Sequence, residues 1–286
     1  MTPRNASDDN ADQPWTDLDR PPLNASALRR GLVRGGLWSS LDVVSATGST
    51  NSDLVALAAG GKADEGAVLV AESQTAGRGR LDRQWTAPPR SGLFFSVYLK
   101  PGDGVPVERW GWLPLLVGVA VATGLARAAG VDTALKWPND LLVNVDGDER
   151  KAGGILAERA GDGVVVGVGL NVSLRADELP VARAGSLALA GAVSTDRDTL
   201  LRAVLRSLEE RYVGWRAAGG DPAVSRLQET YAAGCATLGR QVRAELPGGS
   251  ELVGEAVAVD GDGRLVIASS GGERQPVGAG DIVHLR

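Results

Sequence analysis

Glu72-Ser-Gln-Thr-Ala-Gly-Arg-Gly-Arg-Leu-Asp-Arg-Gln-Trp85 is the stretch on which the reading of this chain turns. It follows an apolar, strand-like run from Ala67 to Ala71, and in it Arg78, Arg80 and Arg83 are spaced by glycine and small or polar residues. A basic, glycine-hinged loop leaving a strand can fold down over an anion, offering backbone N–H groups and guanidinium forks as donors. The plainer alternative is a flexible surface loop that happens to carry arginines. The remainder of the chain decides between them.

At 286 residues the chain suggests one large domain, or one with a small appendage, and can bury a substantial core. Apolar residues make up 43% and charged residues 23%, the balance of an ordinary soluble globular protein. A formal charge of −5 argues against bulk attraction to nucleic acid or an anionic membrane, though it leaves room for a local basic patch. No apolar stretch reads as long and uninterrupted enough to span a bilayer, and the polar start lacks a signal-peptide core. The expectation is a cytoplasmic protein with no membrane partner.

Cys235 and His284 stand alone as the cysteine and the histidine. They supply neither an internal disulfide nor the ligands of a zinc site. Chemistry built on His or Cys is therefore close to excluded, and any metal should be a hard cation such as Mg²⁺ held by oxygens. Lys62, Lys100, Lys136 and Lys151 are the only lysines, against 26 arginines. In a chain that defaults to arginine, a lysine beside glycines suggests a place where a compact ammonium fits and a planar guanidinium does not.

Residues 1 to about 22 lack periodicity and are rich in Asp, Asn, Pro and Gln, which predicts disorder. A short helix capped by Asn24 or Ser26 follows, then a strand from Leu37 to Val44. Thr50-Asn-Ser-Asp53 reads as a capping box that opens a helix stopped by Gly60-Gly61. Ala67 to Ala71 and Leu93 to Leu99 read as strands, and Val107 to Ala129 as a long helix. Four strand-like runs come next: Ala134–Trp137, Leu141–Asn144, Gly154–Ala157 and Gly163–Val172. One helix carries the stripe Leu201, Val204, Leu205, Leu208, Tyr212 and Trp215; another is expected to start at Asp221-Pro222. From Gly239 the period becomes two, and five short strands separated by glycine turns suggest a small barrel of SH3-like size.

Glycine turns place three more polar clusters at strand ends: Lys136-Trp-Pro-Asn-Asp140, Arg150-Lys-Ala-Gly-Gly154 and Gly167-Val-Gly-Leu-Asn171. Polar residues at the ends of buried strands cost desolvation unless partnered, so they often line a site. Each also has a plain alternative: Ser49-Thr-Asn51 as a helix cap, Asn139 and Asn171 as turn residues, Trp85 and Trp137 as core aromatics, Lys151 as a solvated loop residue. What weakens those alternatives together is that all fall in one domain, at element ends.

The ordered series Gly-Ser-Thr-Asn (48–51), Glu-Ser-Gln-Thr-Ala-Gly-Arg-Gly-Arg (72–80), Lys-Trp-Pro-Asn-Asp (136–140), Lys-Ala-Gly-Gly-Ile-Leu (151–156) and Gly-Val-Gly-Leu-Asn (167–171) resembles the biotin–protein ligases, over about residues 37 to 286. The resemblance implies an α+β fold: a mixed β-sheet catalytic domain flanked by helices, class II synthetase-like, with a small C-terminal SH3-like β-barrel. It divides the chain into an N-terminal extension (1–36, largely disordered), a catalytic biotin- and ATP-binding domain (37–236) and the barrel (237–286). It implies that biotin and ATP, with Mg²⁺, give biotinyl-5′-AMP, and that the biotinyl group passes to a lysine of a biotin carboxyl carrier domain of an acyl-CoA carboxylase. Neither step needs a protein nucleophile; alignment and charge compensation suffice.

The resemblance also implies residue roles. Ser49, Thr50, Asn51 and Gln74 would read the uncharged ureido ring of biotin, for which hydroxyls and amides suit better than charges. Arg78, Gly79 and Arg80 would close over the activated intermediate and keep water from the anhydride. Lys151, with Arg80, would stabilise charge developing at the carboxylate and α-phosphate. Arg83, Trp85, Asn139 and Asn171 fall to the nucleotide side, and Asp140 to Mg²⁺. Leu81-Asp82 departs from the pattern, leaving the loop less basic than in members with further Arg or Gly there. Fewer than forty residues precede the first strand, against the sixty or so of a winged helix-turn-helix, so a ligase without specific DNA binding is expected. Two alternatives remain: a lipoate or octanoate ligase of the same superfamily, and, from another class, a nucleic-acid-binding module built on the Arg/Gly loop and the barrel.

Overall fold

The computed structural model describes residues 19–81, 83–246 and 248–285. The stretch expected to be disordered lies outside the described residues as far as residue 18. Its last part is not loose: Arg20 donates to the Ser173 carbonyl at 2.9 Å and pairs with Glu178, and the Pro21 carbonyl accepts from Arg197 at 2.6 Å. Asn24 caps α1 (Ala25–Leu32), its side chain accepting from the Ala27 N–H, and Leu28 and Leu32 enter the core.

Seven strands form the main sheet: β1 (Ser40–Val44), β2 (Ala67–Ala71), β5 (Gly92–Leu99), β6 (Thr133–Lys136), β7 (Asp140–Val145), β8 (Asp148–Ala160) and β9 (Gly163–Asn171). Their spatial order is β1-β2-β5-β9-β8-β7-β6. Only β1 and β2 run parallel; every other neighbouring pair is antiparallel, so the sheet is mixed as expected. Between β2 and β5 the arginine-rich loop carries its own small hairpin, β3 (Gly77–Arg78) against β4 (Gln84–Trp85).

Alternation of side chains along the central strands separates two faces. On β9, Val164, Val166, Val168 and Leu170 join the main core together with Leu93, Phe95, Val97 and Leu99 of β5. That face is covered by α3 (Trp112–Ala129) and α4 (Arg197–Ala217). The opposite face carries Ser96 and Tyr98 of β5 and Val165, Gly167 and Gly169 of β9. α2 (Thr50–Ala59) covers part of it, packing Leu54 and Ala58 onto Tyr98, Ala160 and Val165.

Several boundaries differ from expectation for local reasons. Ser49, not Thr50, caps α2, its hydroxyl accepting from the Ser52 N–H. Val107–Gly111 is a 3₁₀ turn, and α3 begins at Trp112, which puts Pro114 in the first turn where a missing N–H costs nothing. No helix starts at Asp221: its carboxylate takes the Ala223 and Val224 N–H groups in a turn, and α5 (Leu227–Gly234) begins only after Arg226, which sits at φ 58°. Val107–Ala129 is long and apolar enough to cross a membrane, contrary to expectation, but most of it is buried inside the protein.

The C-terminal strands β10 (Gln241–Glu245), β11 (Glu251–Val259), β12 (Leu265–Ala268), β13 (Arg274–Val277) and β14 (Asp281–His284) form an antiparallel sheet in the order β13-β12-β11-β10-β14. The ladder is open among the described residues, with β13 and β14 as its edges, rather than a closed barrel. Val242, Ala244, Leu265 and Ile267 belong to the same core as the main sheet. Two indoles lock the contact: Trp112 Nε1 donates to the Gly261 carbonyl and Trp137 Nε1 to the Gly263 carbonyl, each at 3.0 Å.

Candidate active site

The first turn of α2 faces the open half of the sheet. Thr50 presents its N–H (2.9 Å) and its hydroxyl (3.2 Å) to Gln74 Oε1, which orients the Gln74 amide so that its NH₂ is free of that contact. Parallel bridging between Thr47 and Gln74 brings the loop alongside: Thr75 N–H donates to Thr47 O and Ala76 N–H to Gly48 O. Ser96 on β5 lies below, its hydroxyl 2.8 Å from both Thr50 Oγ1 and Asn51 Oδ1. Thr50, Asn51 and Ser96 are buried and hydrogen-bonded, as burial requires, while Gln74 is half-buried.

Gly-Val-Gly-Leu-Asn is a floor. Gly167 and Gly169 point into the site, and a Cβ would lie 2.2 Å from Asn51 Oδ1 at Gly167 and 2.9 Å from the Trp85 ring at Gly169. Only glycine lets the amide and the indole lie flat on β9. The Trp85 N–H is buried against Gly169 with no hydrogen-bond partner.

Lys151 reaches the same face through an irregularity. Register slips where β7 meets β8: Leu141 pairs with Gly153 but Leu142 with Lys151, so Ala152 is extra. A bulge of this kind re-aims a side chain. Without it Lys151, an odd number of residues from Gly154, would point into the main core. With it, Lys151 Nζ lies 2.6 Å from Asp140 Oδ1 and 5.8 Å from the centroid of the Trp85 ring.

The arginine loop closes the other side. Gly79 and Arg83 share a tight turn, Gly79 N–H donating to Arg83 O at 2.7 Å, with Leu81 at φ 53°. Arg78 pairs with Glu158 at 2.9 Å. Arg80 donates to Asn139 Oδ1 and to the Gly280 carbonyl, both at 3.2 Å, and Arg83 pairs with Asp281, so the C-terminal sheet grips the loop. Burial pulls the Arg80 guanidinium below its ordinary range, with Asp281 and Asp140 acting against it.

Together these groups surround a cavity of about 640 Å³. Every candidate residue named from the sequence lines it: Ser49, Thr50, Asn51 and Gln74 at one end; Arg78, Gly79, Arg80 and Arg83 over it; Trp85, Asn139, Asp140, Lys151 and Asn171 around the rest. Asn139 and Asn171 also act as braces, donating to Ile155 O (3.0 Å) and Gly185 O (2.9 Å). Sequence reasoning gave no role to four neighbours. Lys136 and Arg183 line the cavity beside Lys151. Burial lowers the Lys136 pKa; Asp140 opposes that, while Lys151 and Arg183 add to it. Asp281 came from the far end of the chain, and Glu158 from mid-strand. Lys136 was visible in the motif that contains it; the other three carried no local signal.

Hydroxyls and amides, a cationic wall and an arginine-rich loop thus share one cavity, and comparison with known proteins shows the class: a ligase. The Biotin/lipoate A/B protein ligase family model matches residues 47–173, and the Biotin protein ligase C terminal domain model matches 237–285. The chain belongs to this family, among its biotin protein ligases. It is 46% identical over 277 residues to the biotin--[acetyl-CoA-carboxylase] ligase of Mycobacterium tuberculosis, covering 95% of this chain and 100% of that one. It is 34% identical over 261 residues to the bifunctional ligase/repressor BirA of Bacillus subtilis, covering 87% and 76%. Among solved structures, the Aquifex aeolicus biotin protein ligase in complex with biotin and ATP aligns with a TM-score of 0.71 at 27% identity, covering 87% of this chain and all of that one. The Leishmania major biotin protein ligase in complex with biotinyl-5-AMP aligns with a TM-score of 0.57 at 25% identity, covering 84% and 99%.

Proposed function

We propose that this chain is a biotin–[biotin carboxyl-carrier protein] ligase, joining biotin to ATP as biotinyl-5′-AMP and then to a lysine of a carrier domain of acetyl-CoA carboxylase. One observation carries the reading. Amide and hydroxyl groups fit for a neutral ring, a lysine ammonium and an arginine loop share a single cavity, in a chain 46% identical to a biotin--[acetyl-CoA-carboxylase] ligase.

Thr50, Asn51, Gln74 and Ser49 hold the ring end. The acid chain then runs over Gly167 and Gly169 toward Lys151, where the carboxylate oxygen attacks the α-phosphorus and pyrophosphate leaves. Lys151 Nζ stabilises the charge that builds on the phosphoryl oxygens, and Arg80 adds a second cation from the lid. Trp85, with Arg83 and the Asn139 and Asn171 braces, shapes the nucleotide side. In the second step the acceptor lysine amine attacks the acyl carbon and AMP departs; the lid excludes water meanwhile.

Among the described residues no group of three or more His, Cys, Asp or Glu could hold a resident metal. Asp140 is already paired with Lys151, which fits Mg²⁺ that would arrive with the nucleotide rather than reside in the protein. The ion would supply charge neutralisation to the phosphates. A reaction that consumes ATP and modifies a carboxylase fits a cytoplasmic enzyme. The test is incubation with ATP, Mg²⁺, biotin and a carrier domain, followed by intact-mass measurement of the acceptor. A mass gain equal to one biotinyl group supports the reading; an unmodified acceptor with a verified active control enzyme overturns it.

A further inference from the structure

Glu158 lies on β8, two residues beyond Leu156 on the face that looks into the site, and its two oxygens go to different parts of the machinery. Oε1 accepts from Arg78 Nη1 at 2.9 Å, and Oε2 accepts from Asn51 Nδ2 at 2.7 Å. The second hydrogen of that Asn51 amide goes to the Leu156 carbonyl at 3.2 Å. A carboxylate and a carbonyl only accept, so the Asn51 NH₂ must face them and its Oδ1 must face the other way. There Oδ1 meets the Ser96 hydroxyl at 2.8 Å and lies over Gly167, with one lone pair to spare.

We infer that Glu158 is a positioning residue with two linked duties: it fixes Asn51 as a pure acceptor toward the ring N–H of the ligand, and it ties that reader to Arg78 of the lid. Both donors of Asn51 are committed to the protein, so the residue has nothing to give a ring carbonyl. Gln74, whose carbonyl oxygen is held by Thr50, offers the complementary NH₂. The pair thus presents one acceptor and one donor, the pattern a cyclic urea completes. Because one carboxylate serves both Asn51 and Arg78, a shift of the reader is felt by the lid. This rests on the proposed biotin reading, which it deepens.

The experiment compares wild type, Glu158→Gln and Glu158→Ala in biotin-dependent adenylate formation and in the rate at which preformed biotinyl-AMP escapes. Glu158→Gln keeps an acceptor for Asn51 but loses the charge that holds Arg78. Its KM for biotin should stay within about threefold of wild type while release of biotinyl-AMP speeds up about tenfold, the scale of one charge-assisted hydrogen bond. Glu158→Ala frees Asn51 to turn, so both should change, KM rising about tenfold or more. Circular dichroism and thermal melts identify a variant that has lost its fold; if Glu158→Ala has, Asn51→Leu, which removes the acceptor, replaces it and should raise the KM for biotin about tenfold, an unchanged KM overturning the inference. Equal KM and equal release in wild type and Glu158→Gln would overturn the inference, as would a parallel rise of both in the two Glu158 variants. Absence of adenylate from wild type itself would instead defeat the functional reading.

Discussion

Arg197 Nη1 meets Glu72 Oε2 at 2.6 Å, with less than a tenth of either side chain exposed. Glu72 is the first residue of the arginine loop, and its other oxygen takes the Leu23 N–H at 2.6 Å. Arg197 also reaches the Gly92 carbonyl on β5. One ion pair therefore joins the N-terminal segment, the first turn of α4 and the base of the arginine-rich loop. Removing one member of a buried pair strands a charge in the interior, which costs about 3–5 kcal/mol. Arg197→Ala should lose stability on that scale in urea unfolding, whereas the Glu72→Leu/Arg197→Met double variant should recover much of it. A loss near zero in Arg197→Ala would show the pair to be hydrated in solution.

Lys151→Ala should slow adenylate formation about 10²–10³-fold, the usual cost of removing a donor aimed at developing charge. The side chain is partly open to water, so the melting temperature should barely move. Pyrophosphate release under single-turnover conditions gives the rate; a variant within a few-fold of wild type would take Lys151 out of the chemistry.

Gly169→Ala puts a methyl 2.9 Å from the Trp85 ring. The indole must tilt, disturbing its stacking with Lys151 and the floor of the cavity. Over-packing of this type costs about 1–3 kcal/mol. The expected signature is a raised KM for ATP with a smaller change for biotin; the opposite split would place Trp85 on the biotin side.

Acid should act through His284. Arg240 Nη1 donates to Nδ1, so Nε2 carries the hydrogen and meets Thr237 Oγ1 at 3.1 Å, while that hydroxyl also accepts from the Trp137 N–H. Burial, helped by Lys136 and Arg240, pulls the His284 pKa down to about 4. A base lowered on folding binds its proton more readily when unfolded, so this contribution to stability is complete above the unfolded value of about 6.5 and is lost as pH falls toward 4. At most one proton is involved, about 1.4 kcal/mol per pH unit at the steepest, and less for a ring half open to solvent. Melting curves from pH 7 to pH 4 should fall more steeply for wild type than for His284→Gln; identical slopes would dismiss the histidine.

Much of the site was legible because its residues punctuate the sequence. Polar residues between glycines and apolar runs mark strand ends, and strand ends on one edge of a sheet converge. Lys151 was readable as an unusual ammonium, but not its direction, which depends on the extra Ala152 in a ladder. Glu158 was hidden for a different reason. It sits within a strand whose ends carry charges, Asp148 to Lys151 and Glu158-Arg159, so only the glycine-to-alanine middle looked like strand. The Asp221-Pro222 signal was genuine chemistry put to another use, since the same carboxylate that caps a helix also closes a turn. Asp281 could not be found at all from neighbours in sequence, because its partner Arg83 is 198 residues away.

The paired indoles of Trp112 and Trp137 have an implication for anyone handling this protein. Both spend their only hydrogen on the hairpin that precedes β12, so severing the chain near residue 237 would orphan two deep ring nitrogens and bare the back of the Lys136–Asp140 turn. The last fifty residues are better treated as the keystone of the fold than as a tail to be trimmed.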